Sequence, residues 1–157
     1  LQDKKIKRIF LFTTVYPRGW GFLETAKGSG YIEKDGEKHL LLFDKEGRKF
    51  YVEDGQVHCD NGKKTAFWIV TQVQQPFKQY GDVYQGDMLV GNILYGRGPF
   101  KMTKTSYLFS VYSDDDGKTW SGLKDLNPQI KTEDMHFLGV SPSKGASLDS
   151  GRLVFPA

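Results

Sequence analysis

Tyr112 to Gly122 reads YSDDDGKTWSG and places three consecutive carboxylates, Asp114, Asp115 and Asp116, directly before Gly117. Three chemistries could use such a stretch: calcium coordination, a catalytic carboxylate pair, or a turn whose Asp side chains accept backbone N–H bonds. Spacing removes the first in its EF-hand form. If Gly117 is the sixth loop residue, the first ligand position falls on Tyr112 and the bidentate twelfth on Leu123, so two essential oxygen ligands are missing. A catalytic pair fares no better, because neighbouring side chains on a turn diverge while an acid/base pair must face one substrate. What remains is a β-turn with Gly117 at positive φ and Trp120 folded inward as a buried anchor. Of the other reactive residues, His39, His58 and His136 lack any ligand spacing, so no metal site is expected. Cys59 is the only cysteine. It allows no internal disulfide, has no base partner in view, and reads as an inert, partly buried thiol.

These residues must be held by β-structure. Most of the chain alternates apolar and polar residues with period two, and helical periodicity is nearly absent. Asp35-Gly36, Glu46-Gly47, Asp54-Gly55 and Asn61-Gly62 recur at hairpin spacing, which makes EKHLLLFDKEGRKFYVEDGQVHCDNGKKTAFWIVTQV a small antiparallel meander. The one helix candidate is short, around Pro128 to Phe137. KRIFLFTTVYP, TSYLFSVYS and GRLVFPA are richer in β-branched and aromatic residues and read as buried strands of a larger sheet. The final LVFPA has no turn or cap after it, so the chain reads as a fragment, or one piece of a nicked enzyme, with its last strand unpaired.

Composition bounds the partners. At 157 residues and 17.8 kDa, with 38% apolar and 14% aromatic residues, the chain can bury a core and is not disordered. The net charge of +3 is concentrated at Lys4, Lys5, Lys7 and Arg8, with charges of both signs interspersed elsewhere, which argues against a nucleic-acid surface. No stretch approaches the ~18 apolar residues of a membrane span.

The spacing Ser113-x-Asp115-x-Gly117-x-Thr119-Trp120 is complete at every fixed position of the Asp box found in sialidases. Three further segments resemble the large bacterial sialidases, in the same order: KRIFLFTTVYPRGWGF, YGDVYQGDMLVGNILY and FLGVSPSKGASLDSGRLVFPA. The resemblance implies an all-β chain, part of a six-bladed β-propeller with a small inserted antiparallel β domain. Residues 1–24 would be a propeller strand and pocket-rim loop, 25–103 the inserted domain, and 104–157 propeller strands with the Asp box.

The resemblance also implies an exo-α-sialidase: removal of terminal sialic acid by a tyrosine nucleophile polarised by a glutamate, an aspartate acid/base, and three arginines gripping the sugar carboxylate. None of these positions matches a residue of this chain, so no catalytic residue is assigned to it. Arg152 opens a strand in the family and is not one of the three arginines. The expected substrate contacts are Phe22 and Leu23 at the pocket rim, and Ser147, where many relatives carry a glutamine facing the glycerol side chain. SPSKGAS replaces the usual G-P-G-x-G-I-Q, a departure that leaves room for an intramolecular trans-sialidase releasing an anhydro sugar. Ser113, Asp115, Gly117, Thr119 and Trp120 are expected to be structural, on the propeller perimeter. No cofactor is implied. The implied partners are sialic-acid-terminated glycans and the remaining segments of the same catalytic domain, and the implied location is secreted or cell-surface. The rival reading is a non-catalytic Asp-box module that binds glycans or proteins.

Overall fold

The computed structural model describes residues 7–19, 21–72, 78–142 and 144–156, and for Phe22 the backbone alone. The strands are β1 (Ile9–Val15), β2 (Tyr31–Lys34), β3 (Glu37–Phe43), β4 (Lys49–Glu53), β5 (Gln56–Cys59), β6 (Lys64–Ile69), β7 (Asp82–Gln85), β8 (Met88–Asn92), β9 (Lys101–Met102), β10 (Tyr107–Ser113) and β11 (Lys124–Asp125). One helical turn, α1 (Asn127–Ile130), and the short strands β12 (Ala146–Ser147) and β13 (Leu153–Val154) complete the list.

β2 to β8 form an antiparallel meander in sequence order, and β9 returns to pair with β3. The tight turns follow the dipeptides: Asp35 and Gly36 have φ of 53° and 81°, and Asp54 and Gly55 have 47° and 84°. Both central residues of a type I′ hairpin loop need positive φ, and Asp-Gly meets that demand at low steric cost. A second sheet has the order β1-β10-β11, with β1 and β10 antiparallel from Ile9↔Ser113 to Val15↔Tyr107. β10 therefore stands next to β1 in space although the whole meander lies between them in sequence.

One core joins the two sheets. Tyr107 and Phe109 of β10 are fully buried with Leu42, Val57, Ile69 and Val83 of the meander, and Tyr80 meets Phe109 edge-on at 5.0 Å between ring centres. A Cβ at Gly30, whose φ is +83°, would run into the Tyr107 ring, so the approach of the linker to β10 requires glycine there.

Three expectations need correction. The helix runs only Asn127–Ile130, because Lys131 leaves it with ψ 127° and its side chain turns into the interior. β1 is not a buried strand: it pairs with β10 alone among the described strands, and Leu11 is half exposed. The LVF strand is not unpaired, since a turn closed by Leu148 N–H to Arg152 O at 2.9 Å folds β13 back on β12. Phe155 then stacks on Phe12 of β1 at 4.0 Å, which covers part of its apolar face.

Candidate functional site

Two connections pass the C-terminal end of β1. The first follows β1 through Pro17–Gly19 and Phe22–Glu24, two short 3-10 turns. Arg18 sits at φ 64° and donates its N–H to Leu94 O at 2.7 Å, while Gly21 N–H bonds the Glu24 carboxylate at 2.9 Å. Leu23 projects from this loop 91% exposed, a large apolar side chain without cover among the described residues. The expected contact of the Phe22 side chain lies outside the described residues. The second connection is the segment from Phe137 to Ser147. Its start lies along β1: Val140 N–H bonds Thr14 Oγ1 at 3.1 Å, and Phe137 stacks on Tyr16 at 6.3 Å and 10°. Ser147 itself lies in β12, opposite Leu153, and is half-buried. Leu23 and Ser147 thus sit on separate connections that share an anchor near Thr14 and Tyr16.

The Ser113–Trp120 turn is built around one carboxylate. Asp115 accepts the Thr119 hydroxyl at 2.6 Å, the Thr119 N–H at 2.8 Å and the Ser113 hydroxyl at 2.8 Å, while Ser113 Oγ accepts Gly117 N–H at 2.9 Å. Asp116 and Gly117 take φ of 57° and 85° to make the reversal. These bonds, led by those from Thr119, hold the Asp115 carboxyl down to about 2. Asp114 plays no part in the turn and instead pairs bidentately with Arg8 at 2.7 and 2.8 Å. Trp120 corrects the expectation of a buried anchor. It is 41% exposed, with its indole N–H donating to Gly117 O at 3.1 Å, so the ring lies across the turn it closes and not in the core.

A junction the sequence did not announce holds the two sheets together. Asn127, fully buried, donates to Ser29 O at 2.9 Å and to Ser106 O at 2.8 Å and accepts Leu108 N–H at 2.9 Å. Lys131, only 1% exposed, donates to the Thr105 hydroxyl, to both Ser106 oxygens at 3.1 Å and to His136 O at 3.3 Å. Burial pushes its ammonium pKa down to about 8. Glu133 receives the Ser29 hydroxyl. Both linkers between the sheets, 25–30 and 103–106, are therefore tied by one segment. At its edge Asp125 accepts the Tyr31 hydroxyl at 2.8 Å and Asn127 N–H at 2.9 Å, and burial pushes its carboxyl up to about 6. The one legible trace was the Asp125-x-Asn127-Pro128 stretch, whose Asp side chain caps a turn before the proline.

Among the described residues no group of three or more His, Cys, Asp or Glu side chains is placed to hold a metal ion, and no helix is long and apolar enough to cross a membrane. Cys59 is half-buried at the end of β5.

No family model matches the chain. It is 33% identical to an anhydrosialidase of Macrobdella decora, over 99% of this chain and 24% of that protein. It is 25% identical to sialidase B of Streptococcus pneumoniae, over 99% of this chain and 25% of that protein. Among solved structures, the intramolecular trans-sialidase of Ruminococcus gnavus superposes with a TM-score of 0.85 and 28% identity, covering 99% of this chain and 37% of that one. The chain spans about a quarter of the length of the curated relatives it matches. The end-to-end match in sequence and in backbone agrees with the antiparallel architecture, and the chain belongs to the sialidase family, as a segment of its β-propeller domain.

Proposed function

We propose that this chain is the central segment of a catalytic domain that cleaves terminal α-linked sialic acid from glycoconjugates. The observation that carries the reading is the match over 99% of the chain to an anhydrosialidase at 33% identity. Residues 25–103 form the inserted β domain, 1–24 and 104–157 belong to the propeller, and the tyrosine nucleophile comes from a segment other than this one. Ser113, Asp115, Gly117, Thr119 and Trp120 are a structural Asp box: their bonds are spent inside the turn, leaving no carboxylate oxygen of Asp115 free of a local partner. Phe22, Leu23 and Ser147 are the segment's substrate contacts, and the uncovered Leu23 supports this, because an exposed leucine gains by meeting an apolar substituent. An extracellular location accompanies the reading, since sialylated glycans stand on cell surfaces and secreted glycoproteins.

Intramolecular trans-sialidation is the second reading. It is favoured by the names of the relatives just given and by SPSKGAS in place of the usual glycine-rich stretch. The experiment for both is one reaction: full-length protein with a fluorogenic sialoside, products separated by mass. Release of the fluorophore supports the catalytic reading, and its absence overturns it in favour of a binding module. Free sialic acid identifies hydrolysis, whereas a product lighter by one water identifies the intramolecular transfer.

A further inference from the structure

The loop that carries Leu23 leans on the last turn of the meander. After β8 the chain reverses at 92–97, and Asn92 builds that turn. Its buried side chain accepts Leu94 N–H at 2.9 Å and Tyr95 N–H at 3.3 Å, and donates to Tyr80 O and Asp82 Oδ1, both at 3.0 Å. The backbone closes it from Asn92 N–H to Arg97 O at 2.8 Å and from Arg97 N–H to Asn92 O at 3.1 Å, over a fully buried Ile93. The turn is therefore fixed by bonds of the meander itself.

Arg18 rests on this turn in two ways. Its N–H reaches Leu94 O at 2.7 Å, and its side chain lies so close over Gly96 that a Cβ there would run into Cγ and Cδ. Arg18 also stands at φ 64° and ψ 17°, a left-handed conformation that a residue with a Cβ keeps only where its surroundings impose it. The turn imposes it through one backbone bond and one close approach, and only glycine at 96 allows the approach. At the other end of the loop, Ala26 N–H bonds Lys104 O at 2.7 Å, and the Lys104 ammonium stands 3.9 Å from the Glu24 carboxylate.

Leu23 thus projects from a segment tied at both ends to chain that belongs to the meander or leaves it. At 91% exposure it gains little placement from its own packing, so its position follows from the ends of the loop. We propose that Gly96 is a positioning residue for substrate binding: by admitting the Arg18 side chain onto the 92–97 turn, it fixes the loop from which Leu23 meets the sugar. This role rests on the sialidase reading, and it gives the meander a part in that site through the loop.

The test compares Gly96→Ala with Gly86→Ala in the full-length protein. Gly86, between β7 and β8, has nearly the same φ, 60° against 62°, and a Cβ there meets nothing within 4 Å. Gly86→Ala carries the backbone strain alone, and Gly96→Ala carries it together with the collision. Two readouts are taken: steady-state kinetics on a fluorogenic sialoside, and hydrogen exchange across residues 16–19 followed by mass spectrometry. Gly96→Ala should raise KM about three- to tenfold with kcat within about twofold of wild type, the upper bound being loss of the Leu23 contact itself. Exchange across 16–19 should quicken at least about tenfold as the Arg18 N–H loses Leu94 O. Gly86→Ala should change neither. An unchanged KM in Gly96→Ala, unchanged exchange, or equal changes in the two variants overturns the proposal. If Gly96→Ala does not fold, Arg18→Gly takes its place with the same expectations, since it strips the same contact from the side of the loop. Failure of the sialidase reading looks different: wild type then turns over no sialoside, and exchange alone decides whether the turn holds the loop.

Discussion

Asp115 and Asp125 stand ten residues apart and make the same kinds of bond, yet their surroundings drive them in opposite directions. Asp115 sits at the surface and accepts two hydroxyls and a backbone N–H, and its pKa falls to about 2. Asp125 accepts one hydroxyl and one backbone N–H between two sheets, and its pKa rises to about 6. Hydrogen bonds to a carboxylate favour its charged form, and loss of water disfavours it. At the turn the bonds win because water still reaches the charge. At the junction desolvation wins, although Lys131 lies near enough to oppose it. The turn is a local device that any chain with its spacing can close. The junction exists only where two linkers and a helix end meet.

The largest expected effect comes from removing the centre of the junction. Asn127→Ala leaves the Leu108 N–H and the Ser29 and Ser106 carbonyls buried without partners, at roughly 1–3 kcal/mol each before relaxation. A loss of about 4 kcal/mol is expected in urea unfolding of the full-length protein. A loss under about 1 kcal/mol would remove the distinction between the two regions.

Next comes the pH dependence at Asp125. Below about pH 4 the folded and unfolded states both hold the proton, and burial costs nothing. As pH rises through the folded value of about 6, the folded state must ionise a buried acid that would titrate at 3.8 when free, so about 3 kcal/mol of stability is lost. Asp125→Asn should abolish that loss between about pH 4 and pH 7. A variant with an unchanged pH profile would contradict the desolvation account.

Asp115 carries the opposite dependence. Its depressed pKa contributes stability that is complete above 3.8 and is lost as pH falls through about 2. Asp115→Ala should lower stability at neutral pH by less than Asn127→Ala and should remove this acid limb, both read from urea midpoints across pH. An effect equal to that of Asn127→Ala would place the turn in the framework of the fold.

The smallest effect on stability belongs to the loop after β1. Leu23→Ala, at a side chain 91% exposed, should change unfolding by less than ~0.5 kcal/mol. Its signature is kinetic: KM for a sialoside should rise about tenfold, the scale of one apolar pocket contact. An unchanged KM would remove Leu23 from the substrate contacts.

Much of the fold was legible because it is set by neighbours in sequence. Asp35-Gly36 and Asp54-Gly55 specify their turns through their own φ preferences, and the alternation between them specifies strands. The Ser113-to-Trp120 spacing likewise specifies a turn whose bonds all close within eight residues. The burial of Trp120 was misread because an indole can anchor a turn by lying across it as well as by entering a core. The pairing of β13 with β12 was missed because two-residue strands carry too little periodicity to register.

The sequence by itself determined the β class, the hairpins, the carboxylate turn and the family resemblance, since each depends on residues close together along the chain. Tertiary structure alone decided that Lys131 is buried among neutral oxygens, that Asp125 holds its proton to about 6, and that Leu23 stands exposed. Desolvation depends on what else arrives in the same space. Tyr31 meets Asp125 at a separation of 94 positions along the chain, and no pattern local to either residue encodes that encounter.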